Sequence, residues 1–246
     1  MDRALNFNLS AIAITDHDTV KGVKPAQEYA RKRLEVIPGV ELSCIYENID
    51  VHILGYFNKL RLFEERLLKF QKARVERAEE MIRRLSLEGI EIDIKRVLEI
   101  AEGGAVGRPH IAQVLVEKGY ANSIDDAFAR FIGYHCRAYV PKLRMSIEEG
   151  ISLIREFNGV PVLAHPATYN NRRVIEYSID KGIEGIEVWH PEHSQQDIEE
   201  FLELANRERL LITGGSDSHG GRKREDFFGV IKIEERYLEE LKERMG

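Results

Sequence analysis

Short apolar runs alternate with amphipathic stretches along most of this 246-residue chain. Ser10–Ile14, Leu34–Val40, Val160–Leu163, Gly185–Val188 and Leu210–Thr213 are brief, apolar and bounded by polar residues or glycine, as buried strands are. Ile49–Phe57 alternates less cleanly and reads as a further strand with His52 inside it, and Phe228–Ile233 reads as a last strand before a closing helix. Between these lie helical patterns at Thr19–Arg33, with Pro25 early in it, at Asn171–Lys181, and at Gln195–Arg207 behind a Ser194 cap. Ser146 and Glu149 form a capping box that opens a helix running to Phe157. Met1–Leu9 resembles the tail of a helix. The rhythm predicts an α/β body.

The middle of the chain breaks that rhythm. Across Arg61–Glu88, Leu62, Leu67, Leu68, Val75, Met81, Ile82 and Leu85 recur near a 3.6-residue period amid dense charge, which predicts one long amphipathic helix closed by Gly89. Shorter helices follow at Ile94–Glu102, Pro109–Lys118 and Ile124–Phe131, the last opened by Ser123 and Asp126. No strand pattern returns before Tyr139. The expected organisation is a body of residues 1–60 and 141–246 interrupted by an all-helical insertion at 61–140.

Composition narrows the class. Hydrophobic residues make up 43%, enough for a substantial core, and no apolar run approaches the ~18 residues of a membrane span. No charged start is followed by an apolar h-region, and two cysteines, Cys44 and Cys136, give no disulfide framework, so a cytoplasmic setting is expected. A net charge of −6 argues against a polyanion wrapped over a large surface. The charge is uneven: residues 61–144 hold 16 basic against 13 acidic residues, and the rest 20 against 29. An acidic body with a mildly basic middle suits a small anionic substrate.

Four of the apolar runs deliver a histidine at their C-terminal ends. They lead into Asp16-His17, His165-Pro166, Trp189-His190 and Asp217-Ser218-His219, in a chain with only eight histidines. The carboxyl ends of parallel strands converge on one crevice, so ligands far apart in sequence can meet there. The candidate set is His17, Glu41, His52, His165, Asp217 and His219, with Asp16, His190 and His193 nearby. A histidine within a strand, as His52 is, is ordinarily a hydrogen-bonded core residue. Imidazoles and carboxylates without thiolates suit Zn²⁺, Mn²⁺ or Fe²⁺. Six such groups exceed one tetrahedral ion and point to two or three ions bridged by a carboxylate, with Glu41 the natural bridge. Such a cluster makes hydroxide near neutral pH and clamps a phosphoryl or acyl oxygen. In Gly107-Arg108-Pro109-His110 the proline pre-sets a helix start, where an anion and Arg108 can meet; an ordinary helix start is the alternative. Lys142 sits where the chain returns to the body and could face the crevice.

These segments together resemble the PHP (polymerase and histidinol phosphatase) family: Ala13–Thr19, Pro38–Ser43, Val51–Tyr56, Gly107–Ala112, Ala138–Lys142, Leu163–Pro166 and Gly215–His219. Gly107-Arg108-Pro109-His110 resembles the branch holding 3′,5′-nucleoside bisphosphate phosphatases and RNase-like relatives. The resemblance implies a distorted (β/α)₇ TIM-like barrel with a helical insertion and a three-metal centre. His17, Glu41, His52, His165, Asp217 and His219 would be metal ligands. Arg108, Lys142 and His193 would contact substrate phosphate, and Asp16, His17 and His193 are the catalytic candidates.

The family pattern opens with a strand bearing His-x-His, and nothing of the kind precedes Ser10. The expectation is a physiological start roughly 30–40 residues upstream, the size of a strand, a helix and their loops, and one or two ions with low activity in the chain as it stands. The expected function is hydrolysis of a phosphate monoester on a small nucleotide, foremost a 3′,5′-nucleoside bisphosphate, by metal-activated hydroxide. The alternatives are a phosphate- or nucleotide-binding module without turnover and a 5′-3′ exonuclease on short RNA or DNA ends.

Overall fold

One mixed seven-stranded sheet organises the larger part of the chain, in the order β1-β2-β3-β5-β6-β7, with β4 beside β2. Its strands are β1 Ala11–Ile14, β2 Glu35–Tyr46, β3 Ile49–Tyr56, β4 Met145–Ser146, β5 Val160–Leu163, β6 Gly185–Trp189 and β7 Leu211–Gly214. The computed structural model describes residues 1–60, 63–102, 104–141, 145–218 and 227–246. Contacts divide the chain into two units, Met1–Glu64 with Arg144–Gly246, and Glu65–Leu143.

β2 is the spine of the first unit. Val36, Ile37, Val40, Leu42 and Cys44 are all buried along it, as in a strand covered on both faces. β1 runs parallel to its first half and β4 to its far end, while β3 folds back antiparallel after Glu47-Asn48. β3 is also antiparallel to β5, and β5, β6 and β7 are mutually parallel. Helices α1 (Asp2–Asn6) and α2 (Val23–Ala30) precede β2, and Ala4 and Ala30 join Leu34 and Val36 in a small core beside β1.

In the second unit, α3 (Phe63–Leu87) is followed by α4 (Ile94–Ile100), α5 (Arg108–Glu117) and α6 (Ile124–Ala127). Met81, Leu85, Val97, Ile111, Leu115 and Ile132 form a core of their own. Back in the first unit, α7 (Ile147–Glu156) starts at the Ser146–Glu149 capping box, with Ser146 N–H donating to Glu149 Oε2 at 2.7 Å. α7 lies close over β2: a Cβ on Gly150 would meet Cys44 Sγ at 2.6 Å. After α8 (Arg172–Asp180) and α9 (Gln195–Glu208), α10 (Glu235–Met245) places Leu241 against Ile37, Leu54, Val160 and Val162. Among the described residues no helix is long and apolar enough to cross a membrane.

Several expectations are corrected. Phe228–Ile233 is not a strand: residues 228–230 form a turn, Gly229 has φ +81°, and Phe228 packs on Phe7 instead of extending. The strand expected over Leu34–Val40 runs on through Glu41 to Tyr46, because its partner β3 holds the whole of Gly39–Tyr46 in register. Helix Thr19–Arg33 shrinks to Val23–Ala30, ended by Arg31 at φ +51°. Ile124–Phe131 is one α-turn that continues as a π-helical turn over Phe128–Ile132. The strands are not all parallel either, since His52 lies on antiparallel β3.

Candidate metal centre

Backbone pairing brings the ligand candidates together before any side chain is considered. Beyond β1 the parallel ladder continues: Glu41 N–H donates to Asp16 O at 3.1 Å, Asp18 N–H donates to Glu41 O at 3.0 Å, and His17 bridges Glu41. On the other side of β2, Ser43 lies opposite His52. Glu41, two residues before Ser43, therefore points to the same face as His52. Ala164 N–H donates to His52 O at 3.1 Å, which sets His165 next to His52 from the far side of β3.

The side chains converge on Glu41, which is buried. Its Oε1 lies 2.8 Å from His52 Nδ1 and 3.3 Å from His165 Nε2, and its Oε2 lies 3.4 Å from His17 Nδ1. His52 Nδ1 and His165 Nε2 are themselves 3.0 Å apart. His17, Glu41 and His52 each offer a ligand atom within 4.8 Å of the others.

The second ring nitrogen of His165 fixes its tautomer. Thr168 Oγ1 donates its single hydrogen to His165 O at 2.8 Å, so at 2.9 Å it accepts from His165 Nδ1–H. Nε2 then presents a lone pair to a carboxylate oxygen and a second imidazole nitrogen, an arrangement that repels unless a cation or proton lies among them. Metal-ligating histidines are oriented in this way, with the far N–H tied down. The residues fit a divalent ion.

Electrostatics agree. Burial pushes the Glu41 carboxyl up, but the charges of His17 and His52 and the hydrogen bonds donated by His52 and by His165 in its protonated form bring it well below the usual carboxylate range. Burial opposes charge on His165, yet Glu41 raises its pKa above the ordinary value.

The other candidates are placed around this cluster. Asp217 follows β7 at φ +45°, with Oδ2 3.7 Å from the Nε2 of buried His190. His190 Nδ1 accepts Glu192 N–H at 3.2 Å, so Nε2 carries the proton and faces Asp217. His193 is buried and donates Nδ1–H to Val188 O at 2.8 Å; its Nε2 has no hydrogen-bond partner among the described residues, and burial lowers its pKa. Asp16 is exposed, with its carboxylate over Gly22. His219 and Lys142 lie outside the described residues.

Arg108 is in the second unit, at the start of α5. Its guanidinium lies 5.2, 4.9 and 5.5 Å from the ring centres of Phe128, Tyr134 and Tyr139. Burial, and then the like charges of Arg108 and Arg74, lower the pKa of neighbouring Arg77 to about 10.

Three residues escaped the sequence reading. Asp18 is buried and takes Ser43 N–H on Oδ1 at 2.7 Å, tying the His17 loop to β2. Tyr169 Oη accepts His52 N–H at 3.0 Å and donates to Ala164 O at 2.8 Å. Glu187 is buried on β6 and accepts His165 N–H at 2.8 Å, with burial raising its pKa. A carboxylate inside an apolar strand was the available signal for Glu187; nothing local marks Tyr169.

No family model matches the chain. It is 33% identical over 227 residues to the 5′-3′ exoribonuclease Rnm of Escherichia coli, covering 88% of this chain and 78% of that one. The 3′,5′-nucleoside bisphosphate phosphatase of Chromobacterium violaceum is 30% identical over 235 residues, covering 90% and 82%. The chain belongs to the PHP family of metal-dependent phosphoesterases. A crystal structure from Bifidobacterium adolescentis, described as a metal-dependent phosphoesterase, superposes on this PHP chain with TM-score 0.86 at 31% identity, covering 99% of this chain and 88% of that one. Relatives of this PHP chain thus differ in substrate while sharing phosphate-ester chemistry.

Proposed function

We propose that the chain hydrolyses a phosphate ester on a ribonucleotide that carries phosphate at both the 5′ and the 3′ oxygen, a 3′,5′-nucleoside bisphosphate being the smallest such substrate. The observation that carries this reading is the convergence of His52 Nδ1 and His165 Nε2 on Glu41 Oε1, a donor set that asks for a cation. His17, Glu41, His52, His165, Asp217 and His219 are proposed to hold Mn²⁺, Zn²⁺ or Fe²⁺. Such ions, when bound, supply an activated water and positive charge for the phosphoryl oxygens. Glu41 contributes a carboxylate that stays ionised, and Thr168 holds His165 in the ligating tautomer. Asp16 and His193 are proposed to move protons; His193 Nε2 is free to take one because Nδ1–H is committed to Val188 O. On chemistry alone, Arg108 and Lys142 are proposed to take the second phosphate, Arg108 with its guanidinium face held by aromatic rings. In this reading the sheet is the distorted (β/α)₇ barrel of the family and Glu65–Leu143 its helical insertion.

An RNA 5′ end is the second reading, favoured by the identity to the exoribonuclease Rnm. The two share local chemistry: a 5′-phosphorylated RNA presents its first ribose with phosphate on both oxygens, the 3′ one esterified. Assays of the full chain with Mn²⁺ should show adenosine 3′,5′-bisphosphate turned over with higher kcat and kcat/KM than AMP, since remote binding energy is used at the reacting ester. Equal rates overturn the need for a second phosphate. Stepwise release of mononucleotides from a 5′-phosphorylated oligoribonucleotide would extend the substrate to RNA. No hydrolysis with any of the three metals, together with nucleotide binding indifferent to chelator, would make the chain a binding module.

A further inference from the structure

The strand at the centre of the parallel half of the sheet sends a carboxylate to its neighbours on both sides. Glu187 lies on β6, between β5 and β7, and is buried. The register of β6 against β7 shifts between Glu187 and Trp189, an irregularity of the kind found beside functional sites. On one side Glu187 Oε2 accepts His165 N–H at 2.8 Å. His165 has φ +27°, a backbone conformation L-residues avoid and keep only where the surroundings impose it. On the other side Glu187 Oε1 lies over Gly215, where an added Cβ would come within 2.6 Å of it, so a side chain there would displace the carboxylate. Gly215 N–H is itself bonded to Trp189 O at 2.9 Å and leads two residues on to Asp217.

We propose that Glu187 is a positioning residue for the metal centre, holding the His165 main chain in its left-handed turn so that the imidazole faces Glu41 and His52. This rests on the metal reading of the His17–Glu41–His52–His165 cluster. Glu187 touches no substrate; it acts through His165, and Gly215 is glycine because the carboxylate needs the space. Without the acceptor, the His165 N–H is orphaned and only the bonds from Thr168 to His165 O remain to oppose relaxation of the turn to negative φ, which would carry Nε2 away from Glu41.

The test is Mn²⁺ titration by calorimetry of the full parent chain, Glu187→Gln, Glu187→Ala and Gly215→Ala, with amide exchange at His165 in each. Glu187→Ala should weaken Mn²⁺ binding roughly 10–100-fold, the usual loss when a group supporting a ligand is removed. Its His165 amide should exchange faster, while the Ala164 amide, bonded to His52 O, stays protected. Glu187→Gln keeps an oxygen acceptor and should restore both readouts. Gly215→Ala should weaken binding in the parent and add little in a Glu187→Ala background, the coupling expected of groups in contact. A parent that binds Mn²⁺ while Glu187→Ala binds it equally well overturns the inference alone. So does failure of Glu187→Gln to restore affinity in a protein that melts like the parent. A parent that takes up no Mn²⁺ overturns the metal reading and the inference with it.

Discussion

Glu41 is the residue on which the centre depends, and its ionisation carries two predictions. Glu41→Gln keeps the volume and an acceptor but removes the charge, so the protein should fold while Mn²⁺ affinity and phosphoesterase activity fall by at least about 100-fold; calorimetry and phosphate release check both. The pH dependence of the metal-free chain follows from the two shifts. His165 is raised above 6.5, so its contribution to stability is complete below that pH and lost as pH rises through the folded value. Glu41 is depressed below 4.5, so its contribution is present above that pH and lost as pH falls through its folded value. Thermal melts in chelator should therefore be highest between about 4.5 and 6.5 and decline above, and the rise in Tm on adding Mn²⁺ should grow over the same alkaline side. A metal effect that shrinks as pH rises would contradict a centre in which ion and proton compete. His17 and His165 stood out as candidates because each follows an apolar run, whereas His52, inside a strand, gained weight only from the family resemblance; in the structure all three side chains meet Glu41. Glu187 and Tyr169 were not legible, because what they hold are backbone groups brought near only by the fold.

At the level of elements, local chemistry was readable wherever a cap or period sufficed. The Ser146 and Ser194 boxes and the single long helix Phe63–Leu87 follow from spacing alone. Phe228–Ile233 misled because alternating side chains look alike in a strand and in a turn that packs one face; Gly229 at positive φ decides it. β3 misled in direction: alternation marks a strand but not whether its neighbours run with it or against it. The closeness of α7 to β2 gives a test at this scale. Gly150→Ala puts a methyl group into Cys44 Sγ on the strand that carries Glu41, and overpacking of this kind costs about 1–3 kcal/mol. Urea denaturation should show a loss of that size, and adding Cys44→Ala should recover part of it. Ser146→Ala should cost about 1 kcal/mol through the lost cap alone, with Mn²⁺ binding unchanged.

For the whole molecule, the ligand cluster and the helical core belong to different units. Leu115→Ala, in the core formed with Met81, Val97 and Ile111, should cost about 2–5 kcal/mol of stability and leave Mn²⁺ affinity in the folded protein where it was. A parallel loss of affinity would show that the helical unit shapes the ligands. The pairing of β2 with β3 and β5 also sets a timetable. Glu41 and His52 sit on a hairpin closed by two residues, so a growing chain can bring them together as soon as both strands are made. His165 lies 113 residues after His52 and 124 after Glu41, with the whole helical unit synthesised in between. Before β5 docks, His17 from the loop after β1 and the hairpin's Glu41 and His52 already bring three donor atoms together, and His165 adds a fourth. Three of the four converging donors are thus in hand before the helical unit is synthesised, and the docking of β5 comes as the closing step, setting the last imidazole onto a cradle already laid down.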